Sequence, residues 1–216
     1  MSSRETQRRI KQAAVDLFNR LGTSEVTIQH ISERVGVSRG NLQYHFKSKE
    51  EIIKAIYADI VAEMDRTWRH DEQKPTMFHM AEMFSRQLEL KWRYRFLYRE
   101  IVTLSRRYPH LGAFVRKTRV QRIESTMAFF DALIKAGALK RIRSKKSLRY
   151  IVAMTNIFCD NWLNFLELQQ ERETEEIAQL GYDYIIEMLY PFLSAKAKND
   201  IYRSYDGVTV AIKLAD

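Results

Sequence analysis

The chain has one cysteine, three prolines and seven glycines in 216 residues, and each scarcity excludes something. A single thiol, Cys159, cannot build an internal disulfide framework or a cysteine-rich metal site, and its place in an apolar run marks it as a small buried hydrophobe. With so few Pro and Gly the chain has few places to turn sharply, so long periodic segments fill the intervals and the expected fold class is all-α. No stretch approaches the roughly 18 uncharged apolar residues that a bilayer crossing needs. The first ten positions, with Arg4, Glu5, Arg8 and Arg9, contain no apolar signal block, so the expectation is a cytoplasmic protein with no membrane partner. Enzyme signatures are scarce too. There is no Gly-rich phosphate loop and no His-Glu-x-x-His pair, and the five histidines (His30, His45, His70, His79, His110) are scattered. The chain reads as a non-enzyme without cofactor or metal.

What is present is a soluble globular composition, 45% hydrophobic and 29% charged. The balance of 36 Lys+Arg against 27 Asp+Glu leaves +9, which suits an anionic partner. Ile10, Ala13, Ala14, Leu17, Phe18 and Leu21 form one helical stripe that ends at Gly22. Thr27 can cap a short second helix with Ile28, Ile31 and Val35 inward and Gly36 as its stop. Ser38 caps a third, with Leu42 and Phe46 inward, and Ser48-Lys49-Glu50-Glu51 is a capping box ahead of Ile52, Ile53, Ile56, Ile60 and Met64. Longer helices are expected at about 76–90, 93–106, 110–136, 145–170 and 175–194, punctuated by Pro109, Gly137 and Pro191. In the tail after Ser194, Asp206-Gly207 suggests a turn and Val208 to Ile212 a strand, an extended arm or disorder. The expected division is a small front unit over 1–50, a larger helical body over 51–195, joined to it by the long helix at 48–70, and a tail over 196–216 without an assigned role.

Two short helices around the Gly36 turn have the spacing of a helix-turn-helix, whose second helix lies in the major groove. A plain helical hairpin would need only inward apolar residues. Here the outward positions of the second helix are Ser38, Arg39, Gly40, Asn41, Gln43, Tyr44 and His45. Arg suits guanine edges, Asn and Gln suit adenine, and Gly40 permits close backbone approach. Lys49, in the first turn of the next helix, can share a phosphate with that helix's N-terminal amides. Residues 1–50 hold 9 Lys+Arg and 5 Asp+Glu, a net +4 that is modest for a DNA binder. Specific affinity then calls for two copies on half-sites a helical turn or a multiple apart, hence a homodimer on a palindromic duplex operator.

The run Thr27-Ile28-Gln29-His30-Ile31-Ser32-Glu33-Arg34-Val35-Gly36-Val37-Ser38, continued by Gly40-Asn41-Leu42-Gln43-Tyr44-His45-Phe46-Lys47-Ser48-Lys49-Glu50-Glu51, resembles the DNA-binding signature of TetR-family transcriptional regulators. The likeness is close over about residues 4–55 and lies only in the helical layout beyond. It implies a repressor released from its operator by a small-molecule effector. It also implies that Tyr44, His45, Lys49 and Thr27 contact phosphates while Arg39, Gly40, Asn41 and Gln43 read base edges. Two departures stand out: Ser32 replaces a small apolar residue, and Gln43 sits where an aromatic is common.

For the rest of the chain the resemblance implies an effector pocket among the middle helices, for which Trp92, Phe96, Phe130, Phe158 and Trp162 are candidates, with His79 and Asn161 as polar groups. It implies a four-helix dimer interface from the last two helices, for which Thr155, Asn156, Trp162, Tyr184 and Met188 are candidates. Residues 86–149 hold 18 Lys+Arg against 4 Asp+Glu, whereas residues 150–200 hold 3 against 9. Either these are helix faces that are solvated or lie near acidic neighbours, or Arg93, Arg95, Arg99, Arg116, Arg119 and Arg122 attract an anionic effector such as an acyl-coenzyme A or fatty acid. The competing reading is a helical ligand-binding or interaction protein that keeps the helix-turn-helix only as scaffold.

Overall fold

Helix ends fall where the sequence places capping and turn residues. A computed structural model describes residues 2–68, 77–168 and 174–199. They form α1 (Ser3–Glu25), α2 (Ile28–Val35), α3 (Arg39–His45), α4 (Lys49–Trp68), α5 (Met77–Arg93), α6 (Arg95–Arg107), α7 (Pro109–Lys135), α8 (Lys145–Leu168) and α9 (Thr174–Leu189), with a 3-10 turn at Tyr190–Phe192. The protein is all-α. Among the described residues the only β-type pairing is a single antiparallel bridge between Leu139 and Leu193. The Ser2 side chain accepts from the Glu5 N–H at 3.2 Å to cap α1, Pro109 opens α7, where a missing N–H costs nothing, and Gly137 follows the end of α7 at φ 76°. The expected turn at Asp206-Gly207 and the segment from Val208 to Ile212 lie outside the described residues.

The chain separates into two compact units, Met1–Met64 with Tyr94–Arg116 and Asp65–Arg93 with Lys117–Asp216. In the first, the α1 stripe (Ile10, Ala14, Phe18) is buried together with Ile31, Leu42, Ile52, Ile53 and Ile56. α6 belongs to this unit. Its Phe96 ring lies 5.1 Å from Phe18, and its backbone N–H donates to Asn19 Oδ1 at 3.0 Å. Arg9 ties α1 to the end of α2, donating to the Val35 carbonyl at 2.7 Å.

The second unit has its own core, which includes Met83, Phe84, Leu88, Phe130, Val152, Cys159, Trp162, Ile185 and Leu189. Burial pushes the Cys159 thiol up to about 12, so it is the inert hydrophobe its surroundings suggest. A charged group also lies in this unit: the Lys91 ammonium, 2% exposed, meets Asp160 Oδ1 at 2.5 Å, and Arg119 meets Asp160 Oδ2 at 2.7 Å. Gly181 of α9 sits flat against the Trp162 indole, where a Cβ would come within 2.6 Å of the ring. Gly181→Ala should therefore cost about 1–3 kcal/mol through overpacking, despite its better helix propensity. A urea unfolding curve read by tryptophan fluorescence checks this; an unchanged or higher midpoint would show that the indole can move aside.

Candidate nucleic-acid interface

The two short helices of the first unit owe their angle to local chemistry. The Thr27 hydroxyl accepts from the His30 N–H at 3.2 Å, and His30 Nδ1 accepts from the Thr27 N–H at 3.4 Å, so α2 opens with a reciprocal cap. It closes at Gly36, φ 76° and ψ 38°, whose N–H donates to the Ser32 and Glu33 carbonyls. Only a residue at ease in the left-handed region ends a helix this way. One residue later Ser38 starts α3 by accepting from the Asn41 N–H at 3.1 Å. Leu42 and Phe46 then anchor α3 inward. Ser32 is buried, and its hydroxyl donates to the Gln29 carbonyl at 2.9 Å, so the departure from an apolar residue leaves no unpaired group.

That anchoring leaves Thr27, Ser38, Arg39, Gly40, Asn41 and Tyr44 exposed, with Gln43 and His45 half-buried beside them. Tyr44 is the most open, at 75%. Its ring meets that of His45 edge-on at 5.2 Å, and Ser3 Oγ lies 3.5 Å from His45 Nδ1, which places the start of α1 beside the end of α3. Apart from its chain neighbours and its own helix backbone, no atom of the described residues lies within 4 Å of where a Gly40 Cβ would stand, so their packing does not require that glycine. The candidate base-reading and phosphate-contacting side chains are thus all exposed or half-buried, on α3 and at the starts of α2 and α4.

The letters Gly36-Val37-Ser38-Arg39-Gly40 spell the Gly-x-Ser-x-Gly of a hydrolase nucleophile elbow. An elbow needs a strand leading into a strained turn. Here a helix leads in, Ser38 has ordinary extended angles (φ −66°, ψ 152°), and its oxygen is committed to the cap.

Lys49 is more enclosed than the sequence suggests. Its Nζ donates to the Thr23 carbonyl at 2.5 Å and the Val26 carbonyl at 2.8 Å, which leaves one of three donors for a phosphate. Burial, more than the nearby Arg107, pulls its pKa below the usual lysine value, while Glu100 and Glu25 act in the other direction. The Ser48 box forms in part: Ser48 Oγ accepts from the Glu51 N–H at 3.3 Å, but the Glu51 carboxylate reaches the Lys47 N–H at 2.7 Å.

The pocket candidates divide between the two units. Phe96 is a core residue of the first unit. Phe130 and Trp162 are buried in the second, with Trp92 and Phe158 packed against that core. His79 is half-buried, whereas Asn161 is exposed and donates to the Ile157 carbonyl at 2.8 Å. Among the described residues, two buried polar atoms of this unit, Gln87 Oε1 and Trp162 Nε1, have no hydrogen-bond partner. The arginines are mostly engaged: Arg119 with Asp160, Arg122 with Asp65 at 2.8 Å, Arg93 with Glu89 at 3.5 Å, and Arg99 with the Asn19 carbonyl at 3.2 Å. Arg95 is half-buried and Arg116 exposed, both in the first unit.

Among the interface candidates Tyr184 is exposed and Met188 half-buried. Thr155 and Trp162 instead turn into the subunit's own core, each 2% exposed, and Asn156 bonds its own helix at the Val152 carbonyl. The outward stripe of α8 is Tyr150, Met154, Ile157, Asn161, Phe165 and Leu168, with Leu168 84% exposed. These six recur four, three, four, four and three residues apart, so they lie in one narrow arc of the helix. The sequence reading missed Ile157 and Leu168 there, although the spacing was visible.

Two family models match the chain: one described as bacterial regulatory proteins of the tetR family over residues 10–56, and one described as a TetR bacterial transcriptional repressor over residues 60–201. The HTH-type transcriptional regulator SrpR of Pseudomonas putida is 39% identical over 54 residues, 25% of each chain, so the match spans a quarter of that relative's length. The HTH-type transcriptional regulatory protein RaaS of Mycobacterium tuberculosis is 29% identical over 191 residues, covering 86% of this chain and 82% of its own. Among solved structures, a TetR-family regulator from Marinobacter aquaeolei VT8 superposes with a TM-score of 0.85 at 22% identity, covering 95% of this chain and 98% of that one.

Proposed function

Because the chain belongs to the TetR family of bacterial regulatory proteins, we propose that it is a transcriptional repressor that binds a palindromic operator as a homodimer and leaves it when a small-molecule effector binds. The observation that carries this is the single exposed face of α3, where hydrogen-bonding side chains stand around a glycine that the chain's own packing does not need. Residues 1–50 are the DNA-binding unit in this reading. Arg39, Asn41 and Gln43 read base edges while the backbone at Gly40 approaches the groove. Thr27, Ser38, Tyr44 and His45, with the remaining donor of Lys49, hold phosphates and fix the register. A cytoplasmic location goes with it.

Residues 51–195 bind the effector and pair the subunits. The outward stripe of α8, apart from Asn161, forms with Tyr184 of α9 a row of large apolar side chains facing solvent in one subunit, which a second copy covers about a twofold axis. For the effector, the engagement of Arg93, Arg119 and Arg122 with carboxylates argues against an anion. The unpaired Gln87 Oε1 and Trp162 Nε1 favour an uncharged molecule that offers one hydrogen-bond donor and one acceptor, held among Trp92, Phe130 and Phe158. If that molecule prefers the form with low operator affinity, affinity falls by the ratio of its two binding constants, typically about 1–3 kcal/mol.

Selection of bound duplexes from a random pool by the purified chain, with and without a small-molecule extract, tests the proposal. An inverted repeat that is enriched alone and lost with extract is the expected result. No enrichment at moderate salt would favour the ligand-binding or interaction protein instead.

A further inference from the structure

One polar chain in the first unit is not explained by packing or by the exposed face of α3. α1 breaks at Gly22, with φ 79° and ψ 158°, and presents Thr23 to α6. There Glu100 accepts from the Thr23 N–H at 3.0 Å and from the Thr23 hydroxyl. A Cβ on Gly22 would stand 3.4 Å from Glu100 Oε1, so both the backbone angle and the close carboxylate call for glycine. The Thr23 carbonyl accepts from the Lys49 ammonium, so one buried residue joins α6 to the first turn of α4. Every bond in this chain carries a charge on one partner, and such bonds are the short, directional ones.

Resting on the DNA-binding reading above, we propose that Glu100 is a positioning residue for operator binding: through Thr23 it holds the Lys49 ammonium and the first turn of α4 in the place that a phosphate contact requires. Lys49 loses solvation where it lies, and Glu100 is one of the two carboxylates that favour its charged form. Losing that carboxylate frees the end of α1 and leaves Lys49 with two carbonyls that are no longer fixed. The side chain that governs the contact is thus on α6, a helix outside the reading motif.

The test is a double-mutant cycle on the full chain, using the duplex recovered by selection. Glu100→Gln, which keeps the shape and removes the charge, should weaken operator binding about tenfold in the native background. In a Lys49→Gln background the same change should cost less than about twofold, since the group it acts through is gone. Equal losses in both backgrounds would show that Glu100 merely supports the fold, and no loss in the native background would also overturn the proposal. Should Glu100→Gln unfold the chain, Thr23→Val removes one of the two bonds to Glu100 and is judged by the same comparison. Failure of the selection to return any duplex would count against DNA binding itself; a tight duplex with an unaffected Glu100 variant would count against this relay alone.

Discussion

Asp160→Asn is expected to remove about 3–5 kcal/mol from the stability of the second unit. The side chain keeps its shape and loses only its charge, but it is the counter-ion of an ammonium that is 2% exposed. Buried charges are tolerated when paired and costly when a counter-charge is removed, because the desolvation of Lys91 then loses the compensation that Asp160 supplies. Arg119, on the other carboxylate oxygen, would lose the same counter-charge. The contrast is the simultaneous replacement Lys91→Met with Asp160→Leu, which removes the whole problem and should come close to native stability. All three tryptophans, Trp68, Trp92 and Trp162, belong to the second unit, so urea unfolding read by tryptophan fluorescence reports on it. An Asn variant within 1 kcal/mol of the native chain would contradict this account of the pair. The pH dependence has a fixed sign. Burial raises the Asp160 pKa, but Lys91 and Arg119 more than offset that and hold it below the usual carboxylate range. A carboxyl whose pKa is lower when folded contributes fully above the unfolded value of about 4 and loses that contribution as pH falls through the folded value. Acid unfolding of the native chain should therefore shift to higher pH than that of the Met/Leu variant.

The second large effect is expected from the stripe on α8. Phe165→Glu places a charge where a partner must bury it, yet the side chain is 54% exposed in one subunit, so the fold should barely change. The expected result is a monomer by analytical ultracentrifugation with a native melting temperature. Operator affinity should fall by about 10²–10⁴, because two linked heads gain that much over one through effective concentration. Trp162→Glu, by contrast, should unfold the second unit, since that ring is 2% exposed. A Phe165→Glu protein that remains dimeric would move the interface elsewhere.

These two predictions also separate what the residues disclose from what they do not. The helix-turn-helix was readable because each of its decisions is local: Thr27, Gly36 and Ser38 set the ends of α2 and α3 from within four residues, and Leu42 fixes which side faces in. α8 was harder. It carries apolar residues on two faces, and periodicity cannot say which of them the subunit uses for itself, so the inward Trp162 and Thr155 read as interface candidates. The packing of Phe96 against Phe18 was not legible either, because it joins helices far apart in sequence. The Glu100–Thr23–Lys49 chain had no signature, since nothing in the spacing of three residues on three helices announces that they meet.

Operator binding by Gln43→Ala and Tyr44→Ala, each titrated against the selected duplex and its single-base variants, tests most directly whether α3 lies in the groove. Tyr44→Ala should weaken every duplex by a similar factor, because a phosphate contact carries no sequence information, whereas Gln43→Ala should cost about 1–3 kcal/mol on the selected duplex and lose discrimination at one position per half-site. Indistinguishable profiles for the two variants, or native profiles for both, would contradict it.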